Sequence, residues 1–264
     1  MRRNYVLSLF PTIALAAGLL APAHAAIVVS EVDPYGSAAS YKADWFVLTN
    51  TGTSSVDISG WTMTDNHAAS NTTSPYATGA TISIGNLSGS SKTFGPAFLT
   101  LAGGTTSIDA GQSAIFLEST ADAAGSAALI ASFTAAWYGS NVPSNLVIGT
   151  YNDGTGTAYG LSQTADMVNI FSGSSATATL VASVAMGADT GTPMATFDNS
   201  AGLNNATLTQ KAVVGVNAAQ LSVNGAEIGV VPAPVPEPAE WSLLAGGLGL
   251  LGARLGRRNR RVRG

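Results

Sequence analysis

From Ile27 to Val32 apolar residues recur with a period of two, which predicts a strand with Val28, Ser30 and Val32 on one face and Ile27, Val29 and Glu31 on the other. Asp33-Pro34-Tyr35-Gly36 then turns the chain. Trp45 to Asn50 predicts the next strand and Thr51-Gly52-Thr53 a hairpin-type turn. Val56 and Ile58 alternate up to Ser59-Gly60, and Trp61, Met63 and Asp65 take the alternation on. Leu180 to Ala185 alternates again. Ala212 to Val223 predicts one last strand. Strands this short, separated by Gly, Ser, Thr and Asn turns, argue for a β sandwich rather than a parallel sheet.

Two stretches depart from that period. Asn66 to Pro96 is almost all Ser, Thr, Asn, Gly and Ala, with isolated apolar residues at Ile82, Ile84 and Leu87, and reads as a polar insertion. Between Thr120 and Tyr138, Leu129, Ile130, Phe133 and Trp137 recur at helical spacing and Gly139 supplies a stop. A short helix on the sandwich edge is therefore expected.

The two ends have a different character. Met1 to Ala25 carries Arg2 and Arg3, an apolar run from Tyr5 to Leu20, and Ala23-His24-Ala25 before Ala26. That is the layout of a secretory signal peptide with a small-residue cleavage site at Ala23, Ala25 and Ala26. Val230 to Pro238 is a Pro-rich linker. After it come an uncharged run from Trp241 to Ala253 and a basic end with Arg254, Arg257, Arg258, Arg260, Arg261 and Arg263. A Leu, Ala and Gly helix satisfies its own backbone in hydrocarbon, and the arginines hold its end on the cytoplasmic side. The run is shorter than the ~20 residues of a comfortable span, which suits a temporary stop. Three regions follow: a signal peptide over 1–25, a sandwich over 26–230 with the polar insertion 66–96, and a linker with a C-terminal transmembrane helix over 231–264.

This tail, with Pro236, Glu237 and Pro238 ahead of the apolar run and the arginines behind it, resembles the PEP-CTERM sorting signal of Gram-negative bacteria. The resemblance implies recognition by an exosortase at Pro236-Glu237-Pro238 and removal of the tail. It also implies transient anchoring in the inner membrane, then delivery to the cell surface or an exopolysaccharide matrix. Signal peptidase is the expected partner at the other end.

Composition narrows the role of the middle. The net charge is −4, but all eight arginines lie in the two ends. Between Ala26 and Val235 three lysines (Lys42, Lys92, Lys211) face thirteen acids, which leaves −10. Nucleic-acid binding needs basic patches to neutralise phosphates, so it is excluded as a reading. A polyanion would need a divalent cation between it and this surface. With no cysteine the core must hold without disulfides.

A second resemblance rests on Ile27 to Val32, Asp44-Trp45-Phe46-Val47-Leu48-Thr49-Asn50, Val56-Asp57-Ile58-Ser59-Gly60-Trp61 and Asp65. These segments look like the opening of a lamin-tail-type domain, an immunoglobulin-like β sandwich. Later pieces also fit, Ala110-Gly111-Gln112 leading into Ser113 to Leu117 and then Gly160-Leu161 and Asp166 to Phe171, so the resemblance covers Ile27 to about Ala185. Two positions depart from its pattern: Val47 stands where an acid is usual, and Thr49 where an aromatic is. The fold class expected is all-β, an immunoglobulin-like sandwich with a short edge helix between a signal helix and a sorting helix.

Candidate chemistry is sparse. His67 is the one histidine outside the signal peptide, and no Gly-x-Ser-x-Gly elbow accompanies it. Zinc lacks both cysteine and a second body histidine. Carboxylate pairs such as Glu31 with Asp33, or Asp153 with Asp166, satisfy the residue demand of glycoside hydrolysis, but isolated surface carboxylates give the same pattern. Asp33, Asp44 and Asp65, with Asp57, fall near the ends of the first strands, where oxygen ligands for calcium gather, though without EF-hand spacing. No other cofactor is indicated. Trp45, Trp61 and Trp137 are candidates for stacking on sugars, with core packing as the competing account. The expected role is a non-catalytic structural or adhesive surface protein. The alternatives are a carbohydrate-binding module and a secreted hydrolase using carboxylates or a metal.

Overall fold

A computed structural model of the chain describes residues 27–36, 39–65, 97–119, 122–152, 160–162, 166–175, 177–187, 196–214, 220–223 and 228–229. In chain order the strands are β1 (Ile27–Asp33), β2 (Trp45–Asn50), β3 (Val56–Asp57), β4 (Thr62–Asp65), β5 (Ala97–Leu101), β6 (Ser107–Ile108) and β7 (Ser113–Glu118). Helix α1 (Ala123–Tyr138) leads to β8 (Val147–Asn152), β9 (Asp166–Phe171), β10 (Leu180–Met186), β11 (Phe197–Asp198), β12 (Ala206–Leu208), β13 (Gln220–Leu221) and β14 (Ile228–Gly229). Ten of these form one sheet in the order β11-β1-β2-β7-β8-β5-β4-β9-β10-β12, while β3/β6 and β13/β14 are separate pairs. Pairing in the large sheet is antiparallel except for β7/β8 and β10/β12. Because β5 bonds to both β8 and β4, the strands β11-β1-β2-β7-β8 and β4-β9-β10-β12 are joined through it into one continuous sheet. The sheet curls until β1 meets β10.

The space it encloses is the main core. Val29, Phe46, Leu48, Met63, Leu99, Phe116, Tyr151, Val168, Ile170 and Val184 all point into it and are buried. Phe46 stacks on Phe116 with ring centroids 5.5 Å apart. Each such large apolar side chain contributes about 1.5–3 kcal/mol on leaving water.

The faces expected for β1 are corrected by a bulge between Val29 and Glu31. One extra residue there shifts the alternation, so Val32 joins Ile27 and Val29 inside. Glu31 pairs with Val47 and Asp33 with Trp45, which turns both acids to the outer face.

The helix also sits elsewhere than expected, over a face of the sheet and not at its edge. Trp45 and Val47 on β2, Ile115 and Leu117 on β7 and Ile148 on β8 point outward and form a second buried cluster with Phe133, Ala136 and Trp137 of α1. An apolar outer face must be covered, and the β7-to-β8 connection supplies the cover. Asp122 caps the helix by accepting from the Gly125 N–H at 2.9 Å, and Gly139, at φ 60°, ends it.

The single strand expected over Ala212–Val223 is likewise replaced. The sheet gains β12 earlier in the chain, and among the described residues of that range only Gln220–Leu221 is strand. Val213 and Val214 are both exposed, whereas Ala212 is buried. Short β11, in a stretch that reads as polar, pairs with the free edge of β1. The signal peptide, the insertion 66–96 and the C-terminal tail lie outside the described residues, and among the described residues no helix is long and apolar enough to cross a membrane.

Candidate functional site

Two features stand out: the hairpin after β2, and one end of the barrel-like core. In the hairpin, Asn50 is fully buried and its amide nitrogen donates to the Ser54 carbonyl at 2.8 Å and the Ile108 carbonyl at 2.9 Å. Its side-chain oxygen accepts from the Gly52 N–H at 3.0 Å. Asp57 Oδ1 accepts from both the Ser59 N–H and hydroxyl, at 2.9 and 2.6 Å, and these bonds hold its carboxyl below the usual range. Gly60 follows at φ 71°, a conformation that favours glycine, and delivers Trp61 into the core. The motif residues therefore shape a turn and carry no visible chemistry.

The two departures from the expected pattern are explained by their neighbours. Val47 lies under α1, where a carboxylate would be buried. Thr49 joins a hydroxyl ladder, 2.8 Å from Ser30 Oγ and 2.7 Å from Ser113 Oγ.

The end of the core presents a different chemistry. Side chains two apart on a strand share a face. Asp44, Asp65, Glu118 and Asp166 are each two residues from an inward-pointing apolar residue: Phe46, Met63, Phe116 and Val168. Strand directions bring all four acids to the same end, where the chain leaves the described body after Asp65 and re-enters at Ala97. Asp44, Asp65 and Asp166 are buried and Glu118 half-buried. The surface-carboxylate reading is thus corrected for Asp166, and also for Glu31 and Asp33, which are buried too.

Within this rim, the Glu118 N–H donates to the Asp44 carbonyl at 2.9 Å and the Asp44 N–H donates back to the Glu118 carboxyl. Burial raises the Glu118 pKa, and that bond opposes the rise. Burial and then the neighbouring charge of Asp166 hold Asp65 well above the carboxylate range. Asp166 accepts from the Ser162 N–H at 2.6 Å and the Met167 N–H at 2.8 Å. Tyr151, opposite Glu118 in the β7/β8 register, is wholly buried with its ring 5.2 Å from that of Phe46. Its hydroxyl has no hydrogen-bond partner. Burial, followed by the charges of Glu118, Asp44, Asp65 and Asp166, pushes its pKa well up.

Of the calcium candidates, the structure therefore brings Asp44 and Asp65 to one rim and leaves Asp33 apart, where its Oδ1 accepts from the Tyr35 N–H at 2.8 Å. Glu118 was not among the candidates; the signal available for it was an acid two positions beyond Phe116 at a strand end. Among the described residues, no three Asp, Glu, His or Cys side chains form a ready metal-holding group. Glu31 accepts from Thr196 Oγ1 at 2.7 Å on the outer face. Trp45, Trp61 and Trp137 are all buried, so none of the three presents a face to a sugar. His67, Asp153, Ala23, Ala25, Ala26, Pro236, Glu237, Pro238 and the C-terminal arginines lie outside the described residues.

Among the described residues the body is mostly β with one α-helix, a curled sheet around an aromatic core and a turn-forming Asp-Ile-Ser-Gly-Trp, consistent with an immunoglobulin-like sandwich. The model of the lamin tail domain matches residues 21–188, and the chain belongs to that family. No curated protein and no solved structure matches the chain significantly.

Proposed function

We propose that this chain is an exported protein, sorted by an exosortase to the cell surface or the exopolysaccharide matrix of a Gram-negative bacterium, where its lamin tail domain has a structural or adhesive, non-catalytic role. The observation that carries the reading is the order of the C-terminal segments: Pro236-Glu237-Pro238, an uncharged run too short for a comfortable span, and a cluster of arginines. Ala23-His24-Ala25 after an apolar run supports export. A body with thirteen acids and three lysines suits an extracellular life without nucleic acid.

Replacing Pro236-Glu237-Pro238 by three alanines in a host carrying an exosortase is the test. Uncut protein held in the inner-membrane fraction is the expected result. Release indistinguishable from wild type would mean that another signal governs sorting. For the non-catalytic part, the expected result is no turnover of polysaccharide, peptide or nucleic acid by the purified chain. Turnover lost on replacing one carboxylate would assign it to the hydrolases.

A further inference from the structure

We propose that the acidic rim at the end of the core is a calcium site, with Asp44 and Glu118 as its carboxylate ligands. A β-carbon placed on Gly160 would stand 3.2 Å from Asp44 Oδ2 and 3.4 Å from each Glu118 carboxylate oxygen. Three carboxylate oxygens from two residues thus look onto one small space, and Gly160, which borders it, is exposed to solvent. Calcium takes about six to eight oxygen ligands at roughly 2.3–2.6 Å, often including a carboxylate bound through both oxygens. An ion held between the two side chains, further from Gly160 than a β-carbon would be, meets Glu118 in that two-oxygen form and Asp44 through Oδ2. Carbonyls and water complete such a shell, so a group of three acidic side chains is not required.

Two independent observations point to a ligand here. The first is that convergence of Asp44 Oδ2 and both Glu118 oxygens at a residue that carries no side chain. The second is the Tyr151 hydroxyl, wholly buried, without a partner and beside Glu118 in the β7/β8 register. A buried unpaired hydroxyl is costly, and a cation-bound water supplies the missing partner. Asp166 adds negative charge to this end of the core, which favours a dication over a monovalent ion. Magnesium, which demands a rigid octahedron at about 2.0–2.1 Å and sheds water reluctantly, fits a splayed two-carboxylate site less well.

The test uses the full chain, purified in mild detergent and stripped with a chelator. Calcium at ten times its dissociation constant, which lies near ~1 mM for extracellular modules, is expected to raise Tm by about 3–6 °C. Magnesium at matched ionic strength is expected to raise it far less. Glu118→Gln keeps the shape and Gly160→Ala keeps the charge while filling the space, and each is expected to abolish the calcium increment. Glu118→Gln should leave the metal-free Tm equal or higher, because it relieves repulsion among the acids. Terbium, a calcium surrogate, gives a second readout: emission sensitised by Tyr151, displaced by calcium and lost in both variants. A Tm indifferent to calcium, or an increment and emission that survive in both variants, overturns the proposal.

Discussion

Thr196 Oγ1 donates a 2.7 Å hydrogen bond to Glu31 Oε1, joining two buried residues 165 positions apart. The bond crosses the boundary of the family match, which ends at residue 188. The folded body does not end there. Asn199 Nδ2 reaches back to the Val29 carbonyl at 2.6 Å, and Leu208 and Phe197 sit in the main core. The segment after residue 188 thus closes the edge of β1 and shields it from pairing with another chain.

Removing that bond should be measurable. Thr196→Val keeps the side-chain shape and deletes the donor, leaving a buried Glu31 oxygen short of one partner. The expected loss is about 1–3 kcal/mol. Urea unfolding should show a lower midpoint with an unchanged slope, and Thr196→Ser should recover most of the loss. A midpoint that does not move would show that the contact contributes nothing to stability.

Val47 is the position where this chain departs from the acid usual at this place in lamin-tail-type domains. Here that residue is covered by Phe133, Trp137 and their helix, with Trp45 packed edge-on to Phe133 at 5.7 Å and to Trp137 at 5.9 Å. Val47→Glu would place a charge under this cover with no cation near it in the cluster. We expect destabilisation of about 3 kcal/mol or more, or failure to fold. Near-ultraviolet circular dichroism should lose its tryptophan signal along with stability, since the helix must lift to hydrate the charge. A stable Val47→Glu variant with intact aromatic signal would contradict the packing described.

Asn50 and Asp57 make similar-looking turn bonds but differ in burial, so their replacements should separate. Asn50→Ala takes from the Ile108 carbonyl one of its donors in the interior and leaves the Gly52 N–H without its acceptor. The cost expected is about 1–3 kcal/mol. Asp57→Ala acts on a fully exposed side chain, whose partners turn to water. Its unfolding midpoint should stay close to wild type, and equal losses at the two sites would show that burial does not set the difference.

The strands were legible in part: Trp45–Asn50 and Asp166–Phe171 keep the bounds read from the sequence, while β5 and β8 were missed, although Ala97, Leu99 and Leu101 face the core. The faces of β1 were not, because a bulge at Ser30 leaves no mark in composition. Nor was β11, since two residues cannot display a period. The helix was legible from Phe133 and Trp137, but its place was not. Seeing it required Val47, Ile115 and Leu117 as outward members of neighbouring strands, and strand order is a property of topology. The acidic rim was half legible: Asp44 and Asp65 were singled out by their place at strand ends. Glu118 and Asp166 obey the same rule two residues from Phe116 and Val168, yet only the shared interior face reveals that the four belong together.

Tyr138 gives the last prediction, in alkaline solution. Its hydroxyl is buried without a partner, and burial, with the charge of Glu31 adding to it, raises its pKa to about 12. In the unfolded chain the group titrates near its ordinary value of about 10. Between those values the folded state keeps the proton and the unfolded state loses it, so the native form binds more protons and stability falls as pH rises. The contribution is fully present below about pH 10 and is lost on passing through about 12. Urea unfolding followed across that interval should show a declining midpoint in the wild type. Tyr138→Phe cannot ionise and gives up only an unpartnered hydroxyl, so it should match wild type near neutral pH and decline less above pH 10. If the phenylalanine variant declines as steeply, the alkaline loss arises elsewhere, with buried Tyr151 the next group to replace.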